Sequence, residues 1–150
     1  MKIKLWINNK EFSDDISPDT ILLDFLRIKG VYSVKRGCDT SNCGLCTVML
    51  ENKPILSCST LAVRANGMHV TTIEGLQREA EEFGSFLADE GAEQCGFCSP
   101  GFIMSVLSMK NELKNPTENE IKKYLEGNLC RCTGYMGQLR AIKKYLDKED

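Results

Sequence analysis

The residues able to do chemistry in this chain are eight cysteines in two sets with different spacing. Cys38, Cys43, Cys46 and Cys58 stand as C-x4-C-x2-C-x11-C, and Cys95, Cys98, Cys130 and Cys132 as C-x2-C-x31-C-x-C. Four thiolates are the ligand count of one [2Fe-2S] cluster, and the first spacing is that of the plant-type iron–sulfur loop. The chain therefore reads as a carrier of two such clusters, one per cysteine set. Two other chemistries share these residues. Four cysteines also bind zinc tetrahedrally, which suits the C-x2-C pair of the second set better than the first loop. Disulfides would need an oxidising compartment.

Two kinds of segment must position these sulfurs. From residue 2 to about 75 the pattern is mixed: Ile3, Leu5 and Ile7 alternate as a strand, Asn8-Asn9 make a turn, and Phe12 to Ile16 form a second strand. A helix follows, with Thr20 as its expected N-cap, Ile21, Leu22, Phe25, Leu26 and Ile28 as its apolar face, and Gly30 as its C′ glycine. Thr47 to Leu50 and Pro54 to Leu56 read as a hairpin, and Met68 to Ile73 as a last strand. A sheet with one crossing helix is the pattern of a ferredoxin-like β-grasp.

Beyond Gly75 the pattern turns helical, with Gln77 to Phe83 expected as the junction. One short helix runs through Ser85, Phe86 and Leu87 to Gly91. Another begins at Ser99-Pro100 as N-cap and N1 proline and carries Phe102, Ile103, Val106 and Leu107. A third starts at the capping box Thr117 and Glu120 and stops at Gly127. Leu139, Ile142, Tyr145 and Leu146 mark a fourth, and Asp147 to Asp150 reads as a solvated tail. The expected class is α+β: a β-grasp domain over 1–76 and an all-α four-helix-bundle domain over 77–150, each binding one [2Fe-2S] cluster. Modules of this size have thin cores and gain from a metal staple.

On these elements Cys38, Cys43 and Cys46 fall in a loop, where Gly37 and Gly44 let the backbone approach an inorganic core and aim N–H groups at sulfur. A four-thiolate [2Fe-2S] core carries a charge of about −2, or about −3 when reduced, so such donors tune its potential. Lys35, Arg36 and Arg131 add charge, but exposed side chains are screened. Cys95 and Cys98 sit on one interhelical turn and Cys130 and Cys132 on another. The C-x-C pair reaches a single site only if Arg131 points away.

Composition excludes much else. A formal net charge of −2, with 27% charged and 42% hydrophobic residues, gives no pull toward nucleic acid. Met1 to Ile7 enters a strand directly, without the apolar core of a signal peptide, and no run reaches membrane-spanning length. The expectation is a cytoplasmic protein, where eight cysteines serve as metal ligands rather than disulfides. No Ser-His-Asp set, paired carboxylates, Walker loop or G-x-G-x-x-G is present, so no catalytic residue and no nucleotide site is assigned. His69, the one histidine, reads as a structural or surface residue. Met104 and Met109 read as core or interface fillers.

The stretches Gly37 to Val48, Gln94 to Gly101 and Gly127 to Tyr135 resemble the small iron–sulfur subunit of the molybdenum hydroxylases, the family of xanthine dehydrogenase, aldehyde oxidoreductase and carbon monoxide dehydrogenase. Thr72 to Leu76 is similar to the family at the module junction, and the resemblance covers nearly the whole chain. It implies that Cys38, Cys43, Cys46 and Cys58 bind the cluster on the flavin side. Cys95, Cys98, Cys130 and Cys132 would bind the cluster beside molybdopterin, with Gln94 and Cys132 as the pterin contacts. The implied function is an electron-transfer subunit of an oxidoreductase complex, relaying single electrons from molybdopterin on a large subunit to FAD on a flavin subunit. The implied assembly is a heterotrimer or its dimer. Alternatives are the iron–sulfur subunit of a reductive enzyme acting on aromatic CoA thioesters, in the same family, and a free-standing two-cluster ferredoxin-type carrier. Asn42, Leu45 and Ser99 depart from the residues usual in relatives without removing a ligand. Gln138 stands where an apolar residue is common, so the last helix is expected to pack differently or to meet a polar group of a partner.

Overall fold

The computed structural model describes residues 1–148. Alternation in Lys2–Ile7 buries Ile3, Leu5 and Ile7 and leaves Lys2 and Lys4 in solvent, which makes β1. Asn8 and Asn9 adopt φ of 49° and 67°, the paired left-handed conformation of a two-residue hairpin, and return the chain as β2, Lys10–Asp15. Glu51 and Asn52 repeat the device between β3, Thr47–Leu50, and β4, Lys53–Leu56. With β5, His69–Thr71, these form a five-stranded sheet in the order β2-β1-β5-β3-β4, whose central β1–β5 pair is parallel.

Helix α1, Leu22–Ile28, crosses one face of the sheet, burying Leu22, Leu23, Phe25 and Leu26 against Ile3, Leu5, Val48 and Val70. Gly30 follows at φ 87°, as expected for a residue beyond a helix end. Thr20 does not cap this helix. Ile21 holds the cap position with no side-chain bond, and the entry is fixed by pairing with a neighbouring segment. Leu22 N–H donates to Thr60 O and Ala62 N–H to Thr20 O, both at 2.8 Å.

The second half forms α2 (Gln77–Asp89), α3 (Ser99–Glu112), α4 (Glu118–Tyr124) and α5 (Met136–Asp147). Gln77 to Phe83, expected as a junction, is the first half of α2. Phe83 and Leu87, one turn apart, are both buried and anchor it to the bundle. Phe83 meets Phe102 and Tyr145 at ring separations of 6.1 and 5.1 Å. Glu90 receives ion pairs from Arg140 and Lys144 of α5, tying α2 to α5. The capping box at Thr117 and Glu120 is present as expected. Cys98, not Ser99, occupies the cap position of α3. Lys148, expected in a solvated tail, pairs with Glu82 at 2.9 Å; Glu149 and Asp150 lie outside the described residues.

The two halves share a sheet. Consecutive β3 residues point to opposite faces, so Val48 joins the core under α1 while Met49 joins the helical core around α3. Helix α3 is buried at every residue from Gly101 to Met109, because it packs on β3 and β4 on one side and on the other helices elsewhere. Met104 and Met109 are accordingly core residues. His69 is a surface residue whose ring stacks on Trp6 at 4.9 Å.

Candidate metal centres

The first centre lies where a loop leaves the sheet. Val31 and Val34 anchor its start in the core, and Cys46 ends it one residue before β3 begins at Thr47. Cys46 O accepts from Ser57 Oγ at 2.7 Å and from Ser57 N–H at 3.2 Å, which draws the 3-10 turn carrying Cys58 against the loop. Cys38 lies against Cys43, and Cys46 against Cys58, with Cys46 also feeling the charge of Cys43. Backbone N–H groups converge on the Cys38 sulfur, Asn42 first, then Thr40 and Cys43, and with the Cys43 thiol hold its pKa at about 6. Burial does the opposite inside the loop, raising Cys43 and pushing Cys46 up to about 11.

The second centre gathers the ends of helices. Cys95 and Cys98 lie between α2 and α3, Cys130 and Cys132 between α4 and α5, and Cys132 Sγ reaches Cys95 Sγ at 3.6 Å. Cys130 Sγ accepts from Cys132 N–H at 3.4 Å and from the Thr133 hydroxyl at 3.2 Å. Burial acts to raise Cys130, and these donors outweigh it, so its pKa falls below the ordinary thiol value. Burial pushes Cys98 up to about 12, the Phe97 N–H lowers Cys95, and the Cys95 thiol beside it raises Cys132. Arg131 is exposed, leaving both members of the C-x-C pair free to face one point. Tyr135 sits in the left-handed region at φ 71°, and its hydroxyl accepts from Cys130 N–H at 3.1 Å. Gln94 is exposed beside Cys95 and donates from Nε2 to Gly91 O at 3.3 Å.

All eight thiols are free, although several lie within contact of another. A buried thiol pushed above its ordinary pKa stays neutral in water, and a cation at the centre reverses that preference by holding the thiolate outright. The sulfurs of each set lie in two neighbouring pairs, Cys38 with Cys43 and Cys46 with Cys58, Cys95 with Cys132 and Cys98 with Cys130, and among the described residues no three side chains stand close enough together to hold a single metal ion. Two thiol pairs per set, with N–H donors beside them, fit the donor set of a two-iron metal–sulfur core of net negative charge.

The two centres are joined directly. Leu129 N–H, next to Cys130, donates to Cys43 O at 2.9 Å. The approach is close enough to need glycine: a Cβ on Gly101 would lie 2.3 Å from Gly44 O, and one on Gly44 2.3 Å from Gly127 O. The space between Cys43, Cys98, Leu129 and Cys130 leaves no volume for water. Lys35, ahead of the first loop, stands 4.7 Å over the Phe97 ring between Cys95 and Cys98. Sequence reasoning found the eight cysteines and missed this junction, along with Ser57, Thr133 and Tyr135. Gly44, read from the sequence as a site of close backbone approach to an inorganic core, and Gly101, a glycine in the first turn of a helix after Pro100, carried the signal of close approach, but not of what they approach.

Residues 7–67 match the model of a 2Fe-2S iron-sulfur cluster binding domain, and residues 72–143 that of a [2Fe-2S] binding domain. Both models describe iron–sulfur rather than zinc binding. The xanthine dehydrogenase iron-sulfur-binding subunit of Escherichia coli O157:H7 is 42% identical over 137 residues, covering 89% of this chain and 86% of that one. The nicotinate dehydrogenase small FeS subunit of Eubacterium barkeri is 36% identical over 146 residues, covering 95% and 92%. Quinoline 2-oxidoreductase from Pseudomonas putida 86 holds a chain of the same fold, with a TM-score of 0.89 and 35% identity over 99% of this chain and 94% of that one.

Proposed function

The chain belongs to the small [2Fe-2S] subunits of the molybdenum hydroxylases, and from that membership we propose that it relays single electrons from a molybdopterin site on a large subunit to a flavin subunit. In this reading it is the iron–sulfur subunit of an oxidoreductase complex and does no substrate chemistry itself. Cys38, Cys43, Cys46 and Cys58 hold one cluster in a domain over 1–76, and Cys95, Cys98, Cys130 and Cys132 the other in a domain over 77–150. When bound, each [2Fe-2S] cluster accepts and returns one electron at a time, which divides a two-electron oxidation into single steps.

The observation that carries the proposal is the Leu129 N–H to Cys43 O hydrogen bond, 2.9 Å long, between segments bearing a sulfur of each set. It gives a route from one centre to the other made of covalent bonds and one hydrogen bond, through a space closed to water. The backbone donors at Cys38 and the Thr133 hydroxyl at Cys130 neutralise part of the negative charge on the sulfurs and so favour the reduced state.

The exposed ends of the relay fit its partners. Cys95 and Cys132 reach the surface beside Gln94, where a pterin amino group of the large subunit would meet a sulfur and an amide. Cys38 and Cys58 are half-buried at the other centre, toward the flavin subunit. Relatives named for xanthine and nicotinate, and a structure named for quinoline, share this fold at similar identity. That supports substrate choice residing on the large subunit. Among the described residues no helix is long and apolar enough to cross a membrane. Eight cysteines serving as cluster ligands suit a reducing, cytoplasmic compartment.

The test is purification of the native protein under anaerobic conditions. The proposal expects it to elute with a molybdenum-containing chain and a flavin-containing chain. Elution of this chain alone, with its iron and with full activity as a carrier, would refute the assembly.

A further inference from the structure

The sulfurs of the second centre do not have the same surroundings. Among the described residues only Cys130 Sγ of this centre accepts from a side-chain hydroxyl, that of Thr133 at 3.2 Å, in addition to Cys132 N–H at 3.4 Å. Cys130 is also one of the two ligands at the junction. With Cys98 it lines the closed space that Cys43 borders from the other side, and its neighbour Leu129 donates to Cys43 O. The hydroxyl therefore acts where the relay passes from one centre to the other.

The turn that follows aims this hydroxyl. Gly134 and Tyr135 take φ of 67° and 71°, two left-handed residues in succession, and the chain folds back so that Tyr135 N–H donates to Thr133 Oγ1 at 3.2 Å. With an N–H on its oxygen, the hydroxyl keeps its own proton to give. A ligand sulfur is a thiolate and can only accept it. The Tyr135 hydroxyl closes the turn by accepting from Cys130 N–H at 3.1 Å, so three hydrogen bonds among Cys130, Thr133 and Tyr135 hold the arrangement. Thr133 is half-buried. The first centre offers a weaker counterpart: Ser41 Oγ lies 3.5 Å from Cys58 Sγ, but Ser41 is exposed and, among the described residues, no other hydrogen bond orients its hydroxyl. Water competes for a group placed that way.

We propose that Thr133 is a positioning residue of the relay: its hydroxyl, aimed by Tyr135 N–H, stabilises the added negative charge of the reduced second centre through Cys130 and raises the potential of that centre relative to the first. The inference rests on the reading of Cys95, Cys98, Cys130 and Cys132 as the ligands of one cluster, and adds what sets the step between the two clusters. In that step one electron lost by the second cluster is gained by the first, with no bond made or broken. The Thr133 hydroxyl favours the electron on the second.

The test is an anaerobic redox titration of the iron-loaded chain followed by electron paramagnetic resonance, with the second centre's signal identified as the one altered in Cys130→Ser. Thr133→Val keeps the branched shape and removes the donor. At a fixed potential the ratio of reduced to oxidised second centre should fall roughly 3- to 10-fold, tenfold being about 59 mV for a one-electron couple, while the first centre's ratio holds. Thr133→Ser restores the hydroxyl and should return the ratio toward that of wild type. Electron–nuclear double resonance should show one exchangeable proton fewer coupled to the second cluster in Thr133→Val than in wild type or Thr133→Ser. Should Thr133→Val load no second cluster, Thr133→Ala, which removes the donor without putting a methyl group in its place, is read instead. An unchanged ratio in the variant without the hydroxyl, an equal shift in Thr133→Ser, or a shift of the first centre as large as that of the second would overturn the inference while the relay stands. A second signal missing from wild type would remove the two-cluster reading and this inference with it.

Discussion

Replacing Gly101 by alanine perturbs the point where the two centres meet. The added Cβ would sit 2.3 Å from Gly44 O and 2.9 Å from Leu45 Cα, about 1 Å inside ordinary van der Waals contact and against backbone that has no rotamer to give. The first turn of α3 and the 43–45 loop must then separate, at a cost of about 1–3 kcal/mol for overpacking. Displacement on that scale also takes the Leu129–Cys43 hydrogen bond from 2.9 Å beyond bonding range, adding about 1 kcal/mol. The sum, about 2–4 kcal/mol, corresponds to a midpoint roughly 4–16 °C lower for a chain of this size. The assay is anaerobic thermal unfolding of the iron-loaded variant, with the rate of electron equilibration between the two clusters measured beside it. Both clusters should remain while equilibration slows. Gly84→Ala is the control, since nothing lies within 4 Å of its Cβ position in α2, and it should be stabilising by about 0.5–1 kcal/mol. A Gly101→Ala protein that melts with wild type and equilibrates at the same rate would refute the reasoning.

Other expectations follow from the same structure. Cys130→Ser should abolish turnover of the complex while the spectrum of the N-terminal cluster persists; unchanged turnover would break the proposed wiring. In cluster-free chain, Cys38, with its pKa lowered to about 6, is thiolate at pH 7, whereas Cys46 at about 11 and Cys98 at about 12 remain thiols. Alkylation followed by mass spectrometry should therefore label Cys38 first at pH 7, slow as pH drops through 6, and spare Cys46 and Cys98; equal labelling of all three would contradict the assignment. Phe83→Ala empties a fully buried ring site between Phe102 and Tyr145 and should cost about 3–5 kcal/mol by denaturant unfolding.

Much of this was legible in the sequence because the signals are local. The turns at Asn8-Asn9 and Glu51-Asn52, the capping box at Thr117 and the glycine after α1 each depend on a few adjacent residues, and the cysteine spacing is a local property of each loop. The first half of α2 was hidden because Arg78, Glu79, Glu81 and Glu82 dominate its composition, while its buried anchors Phe83 and Leu87 come only from the middle of the helix onward. Thr20 looked like a cap because its type suits one, yet the helix entry is set by pairing with residues 60–62, a tertiary contact. The junction of the two centres was the least legible part. Its hydrogen bond joins two backbone groups, and backbone groups carry no residue signature. The sharing of one sheet by both cores was hidden for a related reason, since Val48 and Met49 are both apolar and only the fold says which core each enters.

The most direct test of the central claim is iron and zinc content together with electron paramagnetic resonance of anaerobically prepared, dithionite-reduced protein. Two clusters, one per cysteine set, require about four irons per chain and two distinguishable signals. Stoichiometric zinc without a signal, or a single signal with about two irons, would contradict a two-cluster relay.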